Sequence, residues 1–100
     1  MFCYNDECEP CAVTKRVIKE VVEPAYPDLI VIYCDVNQSP EVLDIVEGVV
    51  PSIILNKGRT QLDIMKGVPV LRETGRIYVP YILKFLKKHL NNEEDICRVN

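Results

Sequence analysis

Two cysteines three residues apart, Cys8 and Cys11 in Cys8-Glu9-Pro10-Cys11, are the residues of this chain best placed to do chemistry. Cys8 stands just before a predicted first helical turn, where free amide groups and the helix dipole favour a thiolate. Cys11 lies one turn further along the same side, close enough to close a small ring with Cys8. In that arrangement Cys8 can attack a disulfide in another molecule, and Cys11 can resolve the mixed disulfide that forms. Pro10 keeps the spacer stiff and costs no hydrogen bond, because amides of the first turn have no intrahelical acceptor. The same two residues can also serve as a structural bridge or a metal-binding pair.

Three more cysteines, Cys3, Cys34 and Cys97, make the total five and odd. Cys3, Cys8 and Cys11 have the C-x4-C-x2-C spacing of plant-type [2Fe–2S] ligands, with Cys34 available as a fourth, so an iron–sulfur or other metal-binding electron-transfer protein is one alternative. Against it, Cys3 and Cys34 fall inside apolar strands, where a cysteine acts as a small buried hydrophobe. A zinc site is poorly supplied, since His89 is the only histidine. His89 follows Lys87 and Lys88 near a predicted helix C-terminus, where cations are favoured. Cys97 reads as a spare thiol in the tail.

Asp6, Glu7 and Glu9 surround Cys8. Nearby negative charge opposes thiolate formation, which raises the Cys8 pKa and makes the pair a weaker oxidant. It also favours a basic partner. The plainer reading is that acids at a helix start complement the dipole.

The elements that must hold these residues follow from pattern. Met1 to Tyr4 suits a short strand. From Pro10 to about Glu23, Val13, Val17 and Val21 recur four apart with Ile18 and Val22 beside them, predicting a helix that Pro24 and Pro27 end. Leu29 to Cys34 is an unbroken apolar run, rich in β-branched residues, that predicts an interior parallel strand buried on both faces. Ser39 then caps and Pro40 opens a helix to about Glu47, stopped by Gly48. Ser52 to Asn56 and Leu62 to Lys66 read as strands joined by a turn at Lys57-Gly58. Residues 68–79 yield no element. Ile82, Leu83, Phe85, Leu86 and Leu90 form one face of a last helix beginning at Pro80, with Lys84, Lys87 and Lys88 on its solvated side. The order is β-α-β-α-β-β-α, with a right-handed parallel crossover in its first half. The expected organisation is one α/β domain over residues 1–90 and an acidic, loose tail over 91–100.

Composition narrows the function. A chain of 100 residues with 48% hydrophobic and 27% charged side chains has room for a single globular domain. Its net charge of −3 makes it a poor nucleic-acid binder. The longest uncharged apolar run, Leu29 to Cys34, is too short to span a membrane. Met1 to Glu7 lacks the basic start and apolar core of a secretory signal, so the cytoplasm is the expected compartment.

Beyond the cysteine pair, two further segments carry a family likeness. Asp35-Val36-Asn37-Gln38-Ser39-Pro40-Glu41 is similar to the stretch after the second strand of thioredoxins. Gly48-Val49-Val50-Pro51-Ser52-Ile53-Ile54-Leu55, followed by Lys57-Gly58, is similar to the segment where that family carries a cis-proline facing its active site. With the C-x-P-C pair between a strand and a helix, the sequence resembles the thioredoxin/glutaredoxin superfamily over about residues 1–90.

The resemblance implies a thioredoxin-like fold, a four-stranded mixed sheet flanked by three helices. It implies a thiol–disulfide oxidoreductase reducing protein disulfides, with Cys8 as nucleophile and Cys11 as resolving thiol. It also implies a cis Val50–Pro51 bond whose backbone pairs with an extended substrate segment beside Cys8, flanked by Glu9 and Pro10. A cis X–Pro bond costs only about 0.5–1 kcal/mol over trans. The alternative is an ordinary trans proline at a strand start. Gly67 stands where the family places a glycine after its last strand. The redox-active Cys8–Cys11 disulfide is then the only redox group needed, with no metal or other cofactor. The partners are disulfide-containing proteins and an upstream reductase or low-molecular-weight thiol.

The departures are specific. There is no Trp before the pair, Glu9 replaces the usual glycine, and Phe2 stands at the offset of the thioredoxin buried acid. The glutaredoxin Tyr within the pair, upstream Lys and Gly-Gly-Asp-like segment are also absent, since Gly67 is followed by Val68 and Pro69. This favours a divergent thioredoxin-like reductase over a glutaredoxin-like, glutathione-linked one, which stands as the second alternative.

Overall fold

In this computed structural model the described residues are 1–71, 73–74 and 76–99, with 91–99 described by their backbone alone. Four strands, β1 (Phe2–Tyr4), β2 (Tyr33–Asp35), β3 (Ser52–Lys57) and β4 (Thr60–Lys66), form one mixed sheet in the order β2-β1-β3-β4. β1 and β2 are parallel, and β3 runs antiparallel to both β1 and β4. Three helices flank the sheet: α1 (Glu9–Val17), α2 (Pro40–Ile45) and α3 (Val79–Val99).

Alternation along the strands divides the core in two. On one face Phe2, Ile53, Leu55 and Met65 meet Ile18 and Val22 beyond the end of α1, and Ile82 and Leu86 of α3. On the other face Cys3 and Ile54 meet Val42 of α2 and Val46 just after it. The face predicted for the last helix is the one that packs, with Ile82 and Leu86 buried and Leu83, Phe85 and Leu90 partly so. Helix α3 extends past Leu90, the expected end of that face. The loose tail expected over 91–100 and the Cys97 thiol rest on side chains outside the described residues.

Four expectations are corrected. The run Leu29 to Cys34 is not an interior strand. Only Tyr33–Asp35 forms β2, at the sheet edge, and Ile30 is 83% exposed. The strand buried on both faces is β3, over Ser52 to Leu55. The helix after Cys8 does not stop before Pro24: α1 continues through a π-helical stretch (Ile18–Val22) into a last α turn (Glu23–Ala25). Proline lacks an amide and crowds the preceding turn, and a widened turn accommodates both effects. The buried stripe of that helix is Cys11, Thr14, Ile18 and Val22, while Val13 and Val21 face solvent. Finally, Ser39 stands at the α2 N-cap position, but its hydroxyl makes no capping bond.

Residues 68–79, for which the sequence predicts no element, hold a β-bridge between Val70 and Ile77. Among the described residues, no helix is long and apolar enough to cross a membrane.

Candidate functional site

The chain leaves β1 at Tyr4, turns through Asn5 and enters α1 at Cys8. The Asn5 side-chain carbonyl accepts the Glu7 amide at 3.1 Å, an Asx-type turn that ends the strand. Cys8 occupies the N-cap with extended backbone, and its sulfur accepts the Cys11 N–H at 3.1 Å. That bond satisfies an amide that the helix start would otherwise leave without a partner. Cys8 and Cys11 are joined as a disulfide, with Cα atoms 5.2 Å apart. The two residues differ in burial: Cys8 is half-buried, while Cys11 is 2% exposed. Glu9 and Pro10 are exposed beside Cys8, as are Asp6 and Glu7.

Thr14, the next residue of the buried stripe, is fully buried and donates its hydroxyl to the Pro10 carbonyl at 2.8 Å, holding the first turn closed. Cations seat the helix over the sheet. The Lys15 ammonium lies 4.8 Å from the Tyr4 ring centroid and 5.4 Å from that of Tyr33, and Lys19 lies 5.2 Å from Tyr33. The Tyr33 hydroxyl donates to the Glu23 carboxylate, linking β2 to the last helical turn. Burial, followed by that bond, pushes the Tyr33 phenol above its ordinary pKa.

Val50 and Pro51 lie at the same end of the sheet as Cys8. The register pairing Cys3 with Ser52 puts Pro51 one residue beyond, at the end where β1 releases the chain toward Cys8. The Val50–Pro51 bond is cis. Pro51 is buried and Val50 half-buried, and among the described residues the Val50 N–H and C=O have no hydrogen-bond partner. One residue on stands Ser52, fully buried, whose hydroxyl donates to the Val49 carbonyl at 2.6 Å and accepts the Gly67 N–H at 3.2 Å. Sequence reasoning missed Ser52. Its only signal was adjacency to Pro51 in a strand whose other side chains over Ile53–Leu55 are aliphatic.

The structure does not bring the four candidate metal cysteines together. Cys3 and Cys34 are register partners on neighbouring parallel strands, and both are free thiols, whereas Cys8 and Cys11 bond each other at the helix start. Burial, reinforced by neighbouring Cys34, pushes the Cys3 thiol up to about 11. Among the described residues no group of three or more His, Cys, Asp or Glu side chains is placed to hold a metal ion. His89 does not cap a helix end, because α3 continues past it. Its Nε2 stands 2.9 Å from an Asp63 carboxylate oxygen and ties α3 to β4. No protein-family model, curated protein or solved structure matches this chain.

Proposed function

We propose that the protein is a small thioredoxin-like thiol–disulfide oxidoreductase that reduces disulfides in other proteins. The observation that carries this reading is the asymmetry of the pair: a half-buried cysteine at a helix N-cap bonded to a fully buried cysteine one turn behind it. The amide that approaches the Cys8 sulfur in the disulfide is equally placed to stabilise a thiolate there. The sheet order β2-β1-β3-β4, with the pair after β1 and a cis-proline before β3, fits the fold that the sequence resembles.

In the reductive direction the Cys8 thiolate attacks one sulfur of a substrate disulfide. That bond breaks, one substrate sulfur leaves as a thiolate, and the other stays bonded to Cys8. Cys11 then gives up its proton and attacks the Cys8 sulfur, releasing the second substrate thiolate and forming the Cys8–Cys11 disulfide. Two electrons pass from the dithiol to the substrate, and an upstream reductase or low-molecular-weight thiol restores the dithiol. A reducing compartment such as the cytoplasm supplies such donors. An extended substrate segment finds partners in the Val50 backbone groups, with Glu9 and Pro10 alongside.

The test is insulin reduction with dithiothreitol as donor. The wild-type protein accelerates precipitation of the insulin B chain, and Cys8→Ser returns the rate to that of dithiothreitol alone. A wild-type protein without acceleration, or a Cys8→Ser variant as active as wild type, contradicts the reading.

A further inference from the structure

Ser52 is the one fully buried hydroxyl in the sheet, and both of its bonds act on the segment beside the redox pair. Its donor bond to the Val49 carbonyl closes a ring around Val50 and Pro51. Its acceptor bond from the Gly67 amide fixes that ring to the end of β4. Two contacts complete the brace. The Val49 amide donates to the Val46 carbonyl at the end of α2 at 3.0 Å. Gly67, at φ +81°, comes so close that a Cβ there would lie 3.3 Å from Val49 Cγ1. A side chain at Gly67 would therefore be strained by its backbone and crowded by Val49. The Lys66–Glu47 ion pair joins the same two elements at the surface.

The result is a segment bonded at Val49 and at Ser52 and open at Val50 between them. Val49 and Ser52 spend their groups internally, while the half-buried Val50 N–H and C=O are left for an incoming strand. We infer that Ser52 is a positioning residue for substrate: its hydroxyl holds the Val50 backbone in the one orientation that an extended disulfide-bearing segment can pair with. This rests on the proposed reductase reading. Ser52 acts through Val49 and Gly67 and touches neither reacting sulfur.

The experiment compares Ser52→Ala with wild type in steady-state insulin reduction at saturating dithiothreitol, alongside the rate of Cys8 alkylation by iodoacetamide in the reduced full-length protein. Losing the hydroxyl leaves a buried donor and a buried acceptor unmatched, so the KM for insulin rises about tenfold while kcat stays within about twofold. Cys8 alkylation keeps its wild-type rate and pH profile, because the N-cap is untouched. Ser52→Thr, which retains the hydroxyl, restores KM. If Ser52→Ala does not fold, Ser52→Cys, which weakens both bonds at nearly the same volume, gives an intermediate rise in KM. An unchanged KM in a folded variant overturns the inference, as does a parallel loss of kcat and Cys8 alkylation, the mark of a merely structural role. A wild-type protein that does not reduce insulin overturns instead the reading on which the inference rests.

Discussion

Two pairs of cysteines, one at the start of α1 and one between the strands β1 and β2, stand in opposite surroundings. Cys8 and Cys11 stand where a strand gives way to a helix, one half-buried and one buried, and they are bonded to each other. Cys3 and Cys34 stand opposite each other inside the sheet, both free, with Cys3 fully buried. At the helix start an amide and the dipole lower the cost of negative charge on sulfur. Inside the sheet Ile54, Val36 and Val46 pack around Cys3, and burial, reinforced by the facing Cys34, pushes its thiol up to about 11. The backbone around a sulfur thus decides whether it meets a helix start or the core, and on the proposed reading whether it reacts.

The sharpest way to break this contrast is to exchange the roles. Cys11→Ser removes the resolving thiol and leaves Cys8 reactive, so covalent complexes with substrate proteins should accumulate on non-reducing gels while turnover falls to background. Cys34→Ser should leave both turnover and complex formation at wild-type levels. A Cys34→Ser loss comparable to that of Cys11→Ser would mean that the sheet cysteines join the reaction.

The next effect is on stability. Cys3→Ser places a hydroxyl in a fully buried apolar site without a ready partner, costing about 1–3 kcal/mol in urea unfolding. Cys8→Ser, at a half-exposed N-cap where a serine hydroxyl is a good acceptor, should cost much less in the reduced protein. A reversed order would place the structural role at the wrong pair.

Much of this contrast was legible in the sequence because it depends on local signals. Pro10 after Cys8 marks the helix start, and Lys57-Gly58 marks the hairpin. The face of α3 follows from Ile82, Leu83, Phe85 and Leu86. What was not legible depends on how the layers cover one another. Leu29 to Cys34 is apolar at every position, so periodicity could not show that Ile30 and Ile32 would face out. Of that run only Tyr33 and Cys34 enter the sheet, and Ile30 and Ile32 are left exposed. Val13, Val17 and Val21 form a stripe by spacing, but the buried one runs through Cys11, Thr14, Ile18 and Val22, with Val17 at its margin. Ser52 is a small polar residue whose value lies in Val49 and Gly67, the latter fifteen residues distant, which no local pattern reports.

Two smaller effects sharpen the comparison further. Replacing Glu7 and Glu9 together by Gln removes negative charge beside Cys8 and should raise its rate of alkylation at pH 7 by less than about threefold, in keeping with the modest strength of exposed charges. No change would mean that these acids serve only the helix dipole. The smallest effect lies away from both pairs. The His89 hydrogen bond, then the Ile64 amide, hold the Asp63 carboxyl below its ordinary range. A carboxyl lowered in the folded state stabilises it above the unfolded pKa, and this contribution is lost as pH falls through the folded value. Asp63→Asn should therefore show a shallower loss of melting temperature below about pH 4, with Cys8 alkylation at pH 7 unchanged.

The most direct test of the central claim is a redox titration of the wild-type protein from about −300 to −120 mV, the span of known dithiol catalysts. Each sample is acid-quenched, alkylated and read peptide by peptide in a mass spectrometer. The account predicts one two-electron step in which Cys8 and Cys11 lose their reduced forms together while Cys3 and Cys34 stay thiols throughout. A step that includes Cys3 or Cys34, or a Cys8–Cys11 bond that never opens across that range, would contradict it.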